Sequence, residues 1–206
     1  MLKSLSFNAL FSVGNELELQ TLESKPMSEN PDAFRLWSPD LASGVFTDRH
    51  TASGFGQQGQ NKSPHLCWSG APAGTRSFVL TVFDPDAPTG SGFWHWVLAN
   101  LPGDLSELPP SAGNDKALLH EDTVVCNTDF LNTGVSAAGG YGGPCPPAGH
   151  GTHHYHFSLY ALDVPDLFAA AGIPPSGTAT LVGFAVNFGL GSHVLGKAGF
   201  VATFSC

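Results

Sequence analysis

Apolar and polar residues alternate with a period of two in several short stretches of this chain, the spacing of strands that bury one face. Phe34-Arg35-Leu36-Trp37-Ser38 alternates until Pro39 to Gly44 breaks it, and Tyr155 to Leu162 alternates until it meets Asp163-Val164-Pro165-Asp166. Ser77 to Phe83 differs: it is nearly continuous in apolar and β-branched residues, which predicts a central strand covered on both faces. The Asp84-Pro85 junction stops it, because proline lacks a ladder donor and restrains the residue before it. Phe93 to Leu101, closed by Pro102-Gly103, reads as a second central strand. His65 to Trp68, Thr123 to Cys126 at an edge, and Phe200 to Phe204 at the end add shorter ones, with Leu17 to Leu22 a further strand near the start.

The connections carry few helix signals. Asp166 is placed to cap a short helix over Leu167 to Ala171, which Gly172 and the prolines at 174 and 175 end. Ala179 to Phe188 is apolar enough for strand or helix, with Gly183 and Gly189 marking close packing. Leu105 to Pro110 reads as loop or a single helical turn, residues 50–64 as a glycine- and glutamine-rich loop, and Ser24 to Pro31 as turn material. Residues 111–140 show no sustained pattern, and no internal repeat is present.

Composition agrees with a strand-rich core joined by long ordered connections, since 25 glycines and 16 prolines in 206 residues punctuate rather than propagate helices. The length suits one domain, taken as residues 34–206, preceded by an N-terminal extension over residues 1–33. A net charge of -9, with no cluster of lysine or arginine, argues against nucleic acid or an anionic membrane surface as partner. No apolar run approaches membrane-spanning length, and Met1 to Leu10 lacks a signal-peptide core, so no integral membrane association and a cytoplasmic location are expected. Cys67, Cys126, Cys145 and Cys206 form no paired motif and read as reduced thiols, with disulfides in an exported protein as the alternative.

Chemistry concentrates in two stiff, turn-rich segments. The first runs from Asp84-Pro85-Asp86-Ala87-Pro88 to Trp94-His95-Trp96. A carboxylate at the end of a buried strand needs donors, and Asp84 is placed to hold a histidine in one tautomer, whereas Asp86 reads as a turn residue. Alternation along the strand predicts Trp94 and Trp96 on one face and His95 on the other, close enough to the Asp84 turn to pair with it. The second segment, Gly142 to Gly149 followed by His153-His154-Tyr155, reads either as a rigid connection or as a wall that turns backbone N–H groups of Gly142, Gly143, Cys145 and Ala148 toward a small oxyanion. His153 and Tyr155 then share a face as ligand donors.

Other chemistries find less support. Asp84, His95 and His153 could form a two-histidine, one-carboxylate metal centre, but no fixed metal spacing is present and no cofactor is expected. Cys145 beside His153 is a conceivable nucleophile, and the serines lack the strand-turn-helix context of a hydrolase. Phosphate-loop and dinucleotide fingerprints are absent.

With these landmarks in order, the chain resembles the phosphatidylethanolamine-binding protein family, also called Raf kinase inhibitor-like, and specifically its bacterial branch. The resemblance rests on Asn61 to Trp68, Pro72 to Phe78, Asp84 to Pro88 with Trp94-His95-Trp96, Gly143 to Pro147 through Tyr155, and Val182-Gly183-Phe184. It implies a mostly β fold, with a large central antiparallel sheet packed against a smaller sheet and short peripheral helices. It also implies a small anion pocket built from Asp84, His95, His153 and Tyr155, with Ala87, Pro88, Gly143 and Pro147 as walls. Where the family has His-Arg-Tyr, this chain has His153-His154-Tyr155, and residues 111–140 are long enough to cover part of the mouth.

These residues favour a non-enzymatic binding protein for a small phosphate-bearing or carboxylate ligand, including a phospholipid headgroup. A weak or metal-assisted hydrolase and a kinase or protease inhibitor acting through a surface patch stand as alternatives. A protein partner and a homodimer stay open.

Overall fold

The computed structural model describes residues 33–206, so the strand expected over Leu17 to Leu22 and the turn over Ser24 to Pro31 lie outside the described residues. Ten strands follow in order: β1 (Arg35–Trp37), β2 (Ser53–Gly54), β3 (Gln57–Gln58), β4 (Leu66–Ser69), β5 (Ser77–Asp84), β6 (Phe93–Pro102), β7 (Glu107–Leu108), β8 (Val124–Val125), β9 (Thr152–Leu162) and β10 (Val194–Ser205). A five-stranded sheet runs β10-β9-β5-β6-β8, and every neighbouring pair in it is antiparallel. A three-stranded antiparallel sheet runs β1-β4-β7, and β2 and β3 form a hairpin inside the glycine- and glutamine-rich loop.

Each face of the large sheet is covered by something different. Phe78, Leu80, Val82, Leu98, Phe157 and Leu159 point toward the small sheet and meet Leu36, Leu66, Trp68 and Leu108 there. Val79, Val97, Ala99, Tyr160 and Leu162 point the other way, onto two short helices. This double coverage is why β5 reads as an unbroken apolar run even though its sheet is antiparallel.

The helices are α1 (Leu167–Ala171) and α2 (Ala179–Phe184), the latter continued by a π-helical turn over Ala185–Gly189. Asp166 caps α1 as expected: its Oδ1 accepts the N–H groups of Phe168 and Ala169, and Gly172 closes the helix in the left-handed conformation. The segment from Ala179, which the sequence left between strand and helix, is helical. Gly183 packs closely, since a Cβ there would sit 3.0 Å from the Trp94 ring and the indole would have to shift by a few tenths of an ångström.

Two short elements depart from the sequence reading. Leu105 to Pro110 contains a strand, β7, because Leu108 and Glu107 pair with Leu66 and Cys67. The tryptophans of β6 do not share a face: Trp96 joins the core beneath the small sheet, while Trp94 packs with the helices. The cause is a β-bulge. Val82 pairs with Trp96 and Phe83 with Trp94, so His95 has no partner on β5 and the alternation resets across it.

Candidate functional site

One end of the large sheet opens into a cavity of about 300 Å³, framed by the end of β5, the start of β6, the start of β9 and three loops. Its lining includes Asp84, His95, His153 and Tyr155, together with Ala87, Pro88 and Pro147. All four side chains therefore open onto one space, although they come from three strands.

Asp84, the last residue of β5, is buried and doubly satisfied. Its Oδ1 accepts the N–H of Asp86 at 2.9 Å, the bond that a proline-fixed turn provides, and its Oδ2 accepts Nδ1–H of His153 at 2.7 Å. The antiparallel register that sets Val82 opposite Phe157 and Phe83 opposite His156 carries His153 back along β9 toward Asp84. His153 Nε2 then accepts Nδ1–H of His150 at 2.8 Å, which extends the chain of hydrogen bonds to the surface loop. The expected pairing of Asp84 with His95 is thus replaced by pairing with His153.

His95 is oriented by backbone instead. Its Nδ1–H donates to the carbonyl of Gly142 at 2.9 Å, and the N–H of Gly142 donates back to the carbonyl of His95 at 2.9 Å. The bulge makes this exchange accessible, because the residue skipped by β5 is free to bond the 142 loop. With Nδ1 holding the proton, the neutral ring leaves Nε2 as an unprotonated acceptor. Burial pulls the His95 imidazole below its ordinary pKa, an effect partly offset by the Gly142 carbonyl and by the charge of Asp84.

Tyr155 supplies the other polar group. Its hydroxyl is buried and has no hydrogen-bond partner among the described residues. Burial first, and then the negative charge of Asp84, hold the phenol far above its ordinary pKa, so it stays a neutral donor. The ring lies edge-on to His95, with centroids 5.1 Å apart.

The glycine-rich segment spends the N–H groups of Gly142 and Gly143 inside the protein, against expectation. Gly143 does not line the cavity: its N–H donates to Asn61 Oδ1 at 2.7 Å, and that of Gly142 is committed to His95. Gly143 must lack a side chain because a Cβ would collide with the backbone of residues 50–52. The segment therefore holds His95 in place and does not aim those two N–H groups at a ligand. Nor do Asp84, His95 and His153 present a shared metal position, since Nδ1 of His95 and both ring nitrogens of His153 are already engaged.

Phe55, Phe93 and Phe130 complete the wall, and the sequence reading assigned none of them. Phe93 stands two residues before His95 and shares its side, a signal that strand periodicity contained. Phe130 comes from the unpatterned 111–140 segment and packs against Phe93 and His95, with centroids 4.8 and 5.2 Å away. Phe55 sits in the β2–β3 hairpin with a positive φ of 51°. Cys145 also lines the cavity, but burial and then the charge of Asp84 push its thiol up to about 11, which keeps it protonated and poorly nucleophilic.

At the rim, His154 occupies the position where an arginine was expected. It donates through Nδ1 to Asp86 Oδ2 at 2.8 Å, and its backbone N–H reaches the same oxygen at 2.8 Å. Those bonds, the side-chain one first, hold the Asp86 carboxyl below the usual carboxylate range. Among the described residues no lysine or arginine lines the cavity.

Comparison with known proteins accords with this geometry. The family model described as phosphatidylethanolamine-binding protein matches residues 42–205. The UPF0098 protein YbhB of Escherichia coli K12 is 42% identical over 173 residues, spanning 84% of this chain and 100% of that protein. YbcL of the same organism is 41% identical over 157 residues, which cover 75% of this chain and 80% of YbcL. The crystal structure of E. coli YbcL, described as a new member of the mammalian PEBP family, superposes with a TM-score of 0.71 at 38% identity, covering 84% of this chain and 98% of that one. A homologue from Chlamydia trachomatis, at 24% identity and a TM-score of 0.61, shares the fold. No helix of the described residues is long and apolar enough to cross a membrane.

Proposed function

The chain belongs to the phosphatidylethanolamine-binding protein family, and from that premise we propose that it binds a small ligand whose head is a monoanionic oxyacid, either a carboxylate or a singly charged phosphate ester. The observation that carries this reading is the buried, unpartnered hydroxyl of Tyr155, edge-on to the His95 ring that lines the same cavity. A buried hydroxyl without a partner costs about 1–3 kcal/mol, and a ligand oxygen recovers it.

The charges in the cavity select the ionic form of the head. Asp84 is already inside, and among the described residues no fixed cation lines the wall, so a dianion is opposed. A monoanion is accommodated when one proton arrives with it and settles on His95 Nε2. That nitrogen then donates to one ligand oxygen while Tyr155 donates to the same or a second one. His153 acts differently. It is locked between Asp84 and His150, and it holds the carboxylate in place without being spent on the ligand.

The rest of the ligand meets Phe55, Phe93, Phe130, Pro88 and Pro147. Such a wall favours an apolar or aromatic group attached directly to the head. The volume holds a headgroup or a small aryl acid, and longer chains would extend past Phe55 toward solvent.

Titration of the protein with acetate, benzoate and inorganic phosphate tests the reading. Saturable binding at one site is expected, tighter for benzoate than for acetate, and weakened at least about tenfold by Tyr155→Phe. Binding that ignores both Tyr155→Phe and His95→Gln would move the ligand site elsewhere. Turnover of phosphate or carboxylate esters that His95→Gln abolishes would favour an enzyme instead.

A further inference from the structure

A second group of chemically competent side chains lies outside the cavity, on the small sheet. Leu66, Trp68 and Leu108 point into the core, so strand alternation leaves Cys67 and Glu107, with His65 just ahead of β4, on the outward side. Register sets Glu107 directly opposite Cys67. His65 Nε2 consequently lies 2.9 Å from Glu107 Oε2 and 3.3 Å from Cys67 Sγ, and all three ligand atoms fall within 4.8 Å of one another.

We propose that His65, Cys67 and Glu107 form a Zn²⁺ site with three protein ligands and a fourth position open to water. One imidazole, one thiolate and one carboxylate make a donor set of the borderline character that Zn²⁺ takes, and metal–ligand distances of about 2.0–2.3 Å bring tetrahedral ligand atoms to spacings of the kind seen here.

The scaffold that places these ligand atoms is held from behind. Asp40 Oδ2 accepts the backbone N–H of His65 at 2.8 Å, tying this residue to the turn over Pro39–Leu41. Because β7 has only two residues, the ion would clip it to β4 and stabilise the small sheet.

The test uses the full chain stripped of metal with a chelator. Competition against a chromophoric chelator should show one equivalent of Zn²⁺ bound, with proton release measured calorimetrically in two buffers of different ionisation heat. Co²⁺ in place of Zn²⁺ should give a thiolate-to-cobalt charge-transfer band. The band should vanish in Cys67→Ser, persist in Cys206→Ser, and accompany a loss of affinity of at least about tenfold in Glu107→Gln. Zn²⁺ should raise the melting temperature of the unaltered chain but not of Cys67→Ser. Absence of stoichiometric binding, or a Co²⁺ spectrum without the band, would overturn the proposal. So would binding that survives Cys67→Ser and Glu107→Gln but is lost in His150→Ala, which would put the ion at the cavity histidines.

Discussion

Raising the pH from about 7 to about 9 should weaken the binding of benzoate by up to about 100-fold, and the cause is a single imidazole. Burial keeps His95 below its ordinary pKa in the free protein, so the neutral ring predominates in this range. The Gly142 carbonyl fixes the existing proton on Nδ1, and only a second proton, on Nε2, can face an anion. Benzoate stays ionised throughout, leaving the protein as the titrating component. Affinity then follows the protonated fraction of His95, which falls tenfold for each pH unit above the lowered pKa. Each unit corresponds to 1.36 kcal/mol, so two units amount to about 2.7 kcal/mol. The sign is definite: binding takes up a proton, and a higher pH opposes it. Calorimetry in two amine buffers of different ionisation heat should return close to one proton absorbed per ligand. His95→Gln, whose amide donates without titrating, should bind with no pH slope. Equal affinity across the range, with heats independent of buffer, would show that neutral donors suffice and would refute the protonation step.

Tyr155→Phe should separate stability from binding. Removing an unpartnered buried hydroxyl should leave urea stability unchanged or raise it by about 1 kcal/mol, while benzoate affinity falls about tenfold; a clear loss of stability would show that the hydroxyl has a partner in solution. Asp84→Asn should lower stability by about 2 kcal/mol, because an amide cannot satisfy both the Asp86 N–H and His153 Nδ1–H as the carboxylate does; unchanged melting would contradict the role given to that pair. Alkylation by iodoacetamide near pH 8 should modify exposed Cys206 well before Cys145, whose thiol ionises only near 11, and benzoate should slow Cys145 further. Fast modification of Cys145 would revive it as a nucleophile.

The central strands were legible because burial dictates their composition. Ser77 to Phe83 had to be apolar on both sides, and β9 had to alternate because His154 and His156 face solvent while His153, Tyr155 and Phe157 face the core. Asp166 and Gly172 were legible because a cap is a local bond. What could not be read depended on partners distant in sequence. Glu107 and Leu108 form a strand only because β4 lies beside them. The bulge at His95 is set by a mismatch between β5 and β6 that no period within β6 encodes, so the faces of Trp94 and Trp96 were misassigned. The same bulge handed His95 to the Gly142 carbonyl and left Asp84 for His153. Phe55 and Phe130 come from loops whose composition contains no periodicity, and only the folded loops bring them to the cavity.

A crystal of this protein soaked in benzoate probes the binding account most directly. The account predicts a carboxylate oxygen within hydrogen-bond distance of both Tyr155 Oη and His95 Nε2, the aryl ring against Phe93 and Phe130, and His153 still donating to Asp84. Benzoate seated elsewhere, or lying in the cavity while the Tyr155 hydroxyl keeps no partner, would contradict it.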